Sequence, residues 1–362
     1  MEHITFILIS LVMAFLITFV LMPIGIKLLI HFRIGKNIRS EGLVGKAEEF
    51  EKLHGKKMGT PTMGGIIMIF ALVILVLLSV IAQHAGPILT DTIGFSIKNN
   101  LWNRQETYLA IFTLVSVGLV GAVDDYLNVR GIGRTKGLSA RVKMILLIIL
   151  ASLGAYWFFV KLGYDHIHFP FLGDVTFGYL YIPIFIFVFI SAANSVNITD
   201  GLDGLAGGLL LFQFIAYGAI TYIRGLYILS AFCFIISGIL LAFLWFNVHP
   251  AKIFMGDTGS LAFGATLATI AFMTDTLIAF IIMSSIFIFE TISVILQISS
   301  KKIRKGKKIF KIAPFHHHLE AIGWKEETIV MRLWLLGMIL AVVGVIFSVS
   351  SIGTYAAHLI AG

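Results

Sequence analysis

Ten stretches of this chain are apolar over the length of a membrane-crossing helix: approximately residues 4–30, 64–82, 108–123, 142–160, 179–193, 204–223, 226–246, 260–274, 276–298 and 329–350. Crossing the hydrocarbon core takes about 20 helical residues, and a peptide group inside it finds no water to bond. Each stretch must therefore satisfy its backbone internally. A closed β-barrel would also do this, but barrel strands alternate apolar and polar residues, and these stretches do not. The expected fold is all-α and polytopic, with ten transmembrane helices. Composition agrees: 13% of residues are charged, against about a quarter in a soluble domain. The run from Ile4 has no basic leader or small-residue cleavage site, so it reads as a true first span. A single cysteine, Cys233, leaves no intrachain disulfide and has no polar neighbours to activate it. No internal repeat, low-complexity linker or soluble domain is apparent, so residues 1–362 read as one integral membrane domain.

Charge orients the bundle. Loops 31–63, 124–143, 194–203, 247–259 and 299–328 fall on one side of an alternating path. The opposite side keeps only Lys98, Arg104, Lys161 and Arg224 of the 27 Lys and Arg. By the positive-inside rule the five basic loops are cytoplasmic and both termini lie outside. The net charge of +8 is thus a topological signal, and no nucleic-acid partner is expected. The run KKIRKGKKIFK, Lys301 to Lys311, reads first as an anchor to anionic lipid headgroups.

The same loops carry acids. GAVDDYLNV holds Asp124 and Asp125; NSVNITDGLDGLAGG holds Asn197, Asp200 and Asp203; WFNVHPAKIFMGDTGS holds Asn247 and Asp257. Each has a plain structural explanation. Asp200 with Asp203 resembles a capping box, Asp257 suits a helix start, and paired acids often end a solvated helix. Together they say more, because five carboxylates crowd one membrane face and capping alone does not require that. Crowded carboxylates demand a cation, and hard oxygen ligands favour Mg²⁺ completed by substrate phosphate. Gly201 and its neighbouring glycines let backbone approach a ligand. Lys57, Lys136 and Lys143 are candidates to balance phosphate charge, or are ordinary positive-inside lysines. The pattern points to Mg²⁺-dependent phosphoryl transfer at a membrane surface. GTPTMGG, Gly59 to Gly65, either caps a span or contributes Thr62 to substrate binding. Glu290 lies deep in the ninth span, where an ionisable side chain is functional or internally paired.

The motifs GTPTMGG, VDDY, NITDGLDGLA, FLWFN, FMGDTGS, ETISVILQ and PFHHHLE, in this order, resemble the polyprenyl-phosphate N-acetylhexosamine-1-phosphate transferase superfamily. Within it they are most similar to the phospho-N-acetylmuramoyl-pentapeptide transferase family, over nearly the whole chain. The resemblance implies ten helices with periplasmic termini, a bent ninth helix, a homodimer and a Mg²⁺ requirement. It implies transfer of phospho-N-acetylmuramoyl-pentapeptide from its UDP derivative to undecaprenyl phosphate, giving lipid I and UMP. It makes Asp257 the principal Mg²⁺ ligand, with Asp200 near the metal or diphosphate. Asp124 and Asp125 become the essential pair, as base or as positioning groups. Asn197, Asp200, Gly201 and Asp203 fall in the nucleotide-sugar pocket, Asn247 and Phe254 at uridine, and Gln297 of ETISVILQ at substrate. One departure stands out: Asn128 replaces a lysine that several relatives carry two residues after the DDY tyrosine.

His316, His317 and His318 are a poor metal site, since adjacent side chains diverge by about 100° in a helix and alternate in a strand. They read as a polar lip toward the sugar-peptide, with His318 turned elsewhere. The triplet favours the muramoyl-pentapeptide substrate over the alternative, UDP-GlcNAc:undecaprenyl-phosphate GlcNAc-1-phosphate transfer. An ion-coupled transporter would place its acids near the bilayer midplane, where only Glu290 lies.

Overall fold

The computed structural model describes residues 2–35, 41–42, 45–46, 57, 59–84, 101, 105–132 and 137–361. In chain order the helices are α1 (Glu2–His31), α2 (Gly64–His84), α3 (Gln105–Arg130), α4 (Ala140–Tyr156, continued by a π-turn), α5 (Tyr181–Thr199), α6 (Leu205–Ile223), α7 (Tyr227–Asn247), α8 (Gly256–Met273), α9 (Leu277–Met283), α10 (Ser285–Ile303), α11 (Phe315–Ala321) and α12 (Glu326–Ala361). Among the described residues, eight helices are long and apolar enough to cross a membrane, and α9 with α10 forms a ninth as a broken span. The remaining expected span is α8. Its first turn, GDTGS, is polar, and that turn belongs to the site described below rather than to the apolar interior.

Burial divides the bundle into inner and outer helices. Of the spanning window of α7, 83% is buried inside the protein, against 17% for α1, which lies along it. Helix α8 is buried almost without interruption from Thr258 to Phe272 and packs on α2, α3, α5 and α6. The small residues Ala262, Gly264, Ala265, Ala268 and Ala271 along it allow that crowding. The outer surfaces carry large apolar side chains such as Val20, Leu119, Phe187 and Trp245, each more than half exposed. In water such a surface would drive association; lipid solvates it.

Two features leave no mark in the pattern of the residues themselves. A four-residue hairpin pairs His166–Phe169 with Gly173–Thr176 between α4 and α5; strands this short carry too few residues for a period of two to show. The ninth apolar stretch is not one straight helix but bends by 69° between α9 and α10, as the family resemblance implied. Glu290 does not repair that break. Gln213 of α6 does: its amide nitrogen Nε2 donates to the Met283 carbonyl at 2.9 Å, and its Oε1 accepts from Ser284 Oγ at 3.2 Å. A backbone interruption at this depth persists only where protein groups take up the freed bonds. Gln213→Leu is therefore expected to cost about 1–3 kcal/mol, the desolvation of an unpaired carbonyl. The thermal midpoint of the detergent-solubilised protein measures this, and an unchanged midpoint would show that another group satisfies Met283.

Candidate active site

Asp124 and Asp125 occupy the last two turns of α3, and as helical neighbours they point in different directions. Asp124 faces α4. It accepts the Leu138 N–H at 2.6 Å and the Lys143 ammonium at 2.7 Å. Asp125 faces α8 and accepts the backbone N–H of Asp257 at 3.1 Å, that of Thr258 at 2.9 Å and the Thr258 hydroxyl at 2.7 Å. The first N–H groups of a helix have no partner within it, so Asp125 caps α8 from another helix.

Asp257, in that first turn, is thereby aimed between α4 and α5. Its carboxylate accepts Lys143 Nζ at 2.5 Å and Asn197 Nδ2 at 2.7 Å, and Asn197 also reaches Ser260 Oγ at 2.9 Å. The close approach of α3 and α8 depends on Gly121, where any Cβ would collide with the Asp257 carbonyl. Lys143 thus sits between Asp124 and Asp257, the cation that two neighbouring carboxylates require. Asp257 is the more open of the two acids, with 23% of its side chain exposed.

The segment after α5 joins this cluster to two others. Asp200 ends α5 and is half-buried. Asp203 accepts Lys57 Nζ at 2.7 Å and the Ala251 N–H at 3.0 Å, and its other neighbour is His249 Nδ1 at 2.9 Å. Glu326 at the start of α12 accepts both Lys57 at 2.5 Å and the Asp203 N–H at 2.7 Å. The capping-box reading of Asp200 and Asp203 does not hold, because α6 starts only at Leu205 and Asp203 serves Lys57 instead. Between these acids lies Gly201, where a Cβ would collide with the ring of His316 and press on that of His317.

His316 and His317 are buried in α11. The His316 N–H donates to Glu290 Oε2 at 3.2 Å, and its ring Nδ1 stands 3.1 Å from the same oxygen without hydrogen-bond geometry. This is the partner of Glu290 that the sequence did not name. His317 Nδ1 pairs with Glu320 at 2.6 Å. His318 is turned away: it accepts the Lys311 N–H at 3.2 Å and packs on Phe310 and Phe315.

Other expected site residues hold the fold around these clusters. Asn247 is buried, its Oδ1 accepting the Gly204 N–H and its Nδ2 donating to the Ile253 carbonyl, so both ends of its amide are engaged in the backbone. Gln297 is likewise committed, to Ile309 and Phe310, folding the basic run back onto α10. Thr62 and Phe254 are buried in neighbouring segments, where the Phe254 N–H donates to the Pro61 carbonyl. Lys136 lies outside the described residues. Sequence reasoning missed His249, Glu326 and Trp334, whose indole donates to the Gly204 carbonyl at 3.2 Å. The only available hint was the pair of acids opening the last apolar stretch in GWKEET.

Burial raises the Asp203 carboxyl, but the Lys57 ammonium, the Ala251 N–H and His249 outweigh it and hold the group below the usual carboxylate range. A lowered carboxylate contributes stability that is complete above its unfolded value of about 4 and is lost as pH falls through the lower folded value. Asp203→Asn is expected to lower the thermal midpoint at neutral pH and to flatten its decline below about pH 4. An acid decline as steep as the wild type's would dissociate that stability from Asp203.

The profile of Glycosyl transferase family 4 matches residues 107–275, from within α3 to just past α8. A phospho-N-acetylmuramoyl-pentapeptide-transferase of Geobacillus sp. (strain WCH70) is 37% identical over 342 residues, covering 94% of this chain and 97% of the relative. That of Clostridium novyi (strain NT) is 40% identical over 338 residues, covering 92% and 94%. That of Bacillus licheniformis is 39% identical over 345 residues, covering 95% and 98%. With both chains covered almost end to end at this identity, the chain belongs to the phospho-N-acetylmuramoyl-pentapeptide transferase family.

Proposed function

We propose that this protein transfers phospho-N-acetylmuramoyl-pentapeptide from UDP-N-acetylmuramoyl-pentapeptide to undecaprenyl phosphate, forming lipid I and UMP in peptidoglycan biosynthesis. The observation that carries the reading is the convergence of Asp124, Asp257 and Lys143 at one end of an apolar bundle, in a chain of this family. An oxygen of the lipid phosphate attacks the sugar-bearing phosphorus, and the bond to the UMP phosphate breaks with its electron pair leaving on UMP. By analogy with phosphoserine, whose second pKa is near ~6, the attacking phosphate is already ionised at neutral pH. No strong base is required.

The residues then divide the work. Asp125, spent on α8, fixes the position of Asp257. Asp124 orients Lys143, whose ammonium is placed to meet phosphate oxygens. The acids offer oxygen donors only, which fits Mg²⁺; Asp257, with Asp200 beside it in role, would hold the ion. Bound there, Mg²⁺ supplies neutralisation of the diphosphate. Gly201, His316 and His317 form the wall toward the sugar-peptide, and Asn197, Asp203 and Lys57 set the segment between.

The charge asymmetry supports ten transmembrane helices with α8 among them, periplasmic termini and a site on the cytoplasmic face of the bacterial inner membrane. A homodimer accords with the family. In a purified assay with undecaprenyl phosphate and Mg²⁺, UMP release is expected with UDP-N-acetylmuramoyl-pentapeptide and not with UDP-GlcNAc; the reverse preference would assign the GlcNAc-1-phosphate reaction instead. Asp257→Asn is expected to lower kcat by at least a hundredfold, on the scale of losing one electrostatic group, in protein that still elutes as a folded species from gel filtration. Retained turnover with ordinary Mg²⁺ dependence would remove Asp257 as the principal ligand.

A further inference from the structure

The hairpin after α4 gathers a second set of ionisable side chains, remote from the acids of α3 and α8. Helix α8 carries Asp257 in its first turn and Asp275 just past its last, ~27 Å away at 1.5 Å per residue. Strand His166–Phe169 places His166 and His168 on one face, and Asp174 lies directly across from His168. Asp275 closes the set from the turn between α8 and α9. One atom each from His166, Asp174 and Asp275 lie within 4.8 Å of one another.

We propose that His166, Asp174 and Asp275 bind a divalent zinc ion that fastens the hairpin to the α8–α9 turn. The donors are one imidazole and two carboxylates, a mixed set that suits zinc. His166 Nε2 stands 3.7 Å from Asp275 Oδ2, close to the ~3.3 Å between tetrahedral ligands at ~2.0 Å from zinc. The surroundings orient each donor. Asp165 Oδ1 stands 3.3 Å from His166 Nδ1, which favours the proton there and the lone pair on Nε2, toward Asp275. The His166 ring is also stacked on Tyr164. The His168 N–H holds Asp275 Oδ1 at 3.1 Å, and its ring meets Asp174 Oδ1 at 2.6 Å. A carboxylate behind a ligating histidine, and hydrogen bonds behind ligating carboxylates, are the usual outer support of a metal site.

Two contrasts narrow the choice. The other histidine-carboxylate group, Asp203, His249 and Glu326, already contains a cation, because Lys57 Nζ lies between its two carboxylates. Asp275 meets no lysine or arginine within ion-pair distance among the described residues; its ion-pair neighbour is His166. The ligands also remain between 24% and 33% exposed, leaving a fourth position for water.

The test uses full-length protein without an affinity tag, stripped with chelator, given zinc chloride alone and passed through gel filtration before metal analysis. About one zinc per chain is expected in the wild type, retained in Asp257→Asn and lost in both His166→Gln and Asp275→Asn. Zinc that disappears with Asp257→Asn, or a wild type that retains none, would overturn the proposal. If the hairpin variants do not fold, X-ray absorption on the zinc-loaded wild type decides: about four nitrogen and oxygen ligands with imidazole scattering support the site, and an all-oxygen shell refutes it.

Discussion

The backbone N–H groups at the start of α8 have no acceptor within their own helix, and Asp125 of α3 provides one. This bond set depends on Gly121 allowing α3 close to the Asp257 carbonyl, and it fixes where Asp257 stands. From there the remaining placements follow. Asp257 gathers Lys143 and Asn197, Lys143 reaches back to Asp124, and Asn197 ties α5 to Ser260. A carboxylate at a helix N-terminus is stabilised by the helix dipole as well as by the bonds themselves. One member of the VDDY acid pair is therefore the group that builds the site.

The short segment from Asp200 to Gly204 distributes that order outward. Asn197, just before it, belongs to the acid cluster. Gly201 yields space to His316 and His317, Asp203 takes Lys57 and the loop around Ala251, and Gly204 is held from Asn247 and Trp334. Three separate polar clusters thus meet along five residues, of which Leu202, Asp203 and Gly204 are buried.

Much of the fold was legible because lipid imposes a simple rule on sequence. Apolar helices must be about as long as the membrane is thick, and all ten apolar stretches coincide with helices, one of them broken. The break came only from the family resemblance and not from the residue pattern, since its remedy is Gln213, more than sixty residues away in sequence. The hairpin escaped notice because four residues per strand leave no readable period. At the site the motifs marked five acids of one membrane face, and the structure brings Asp124, Asp125 and Asp257 together with Asn197, which the motifs had placed beside Asp200 and Asp203 instead. Asn247 and Gln297, marked by the same motifs, turn out to have their amides engaged in backbone, while His249, inside WFNVHPAKIFMGDTGS but not singled out there, and Glu326 complete the surroundings of Lys57.

By itself, the sequence determined the solvent, the helical class and the chemical character of one end of the bundle. Hydrophobic length, charge asymmetry and a run of acids are local properties, readable one segment at a time. Only the tertiary structure decided which acid caps a helix and which faces a lysine, and where Glu290 finds its partner. Those outcomes depend on distances between helices far apart in the chain. Two adjacent aspartates are chemically identical until the packing of α3 against α4 and α8 gives each a different neighbour.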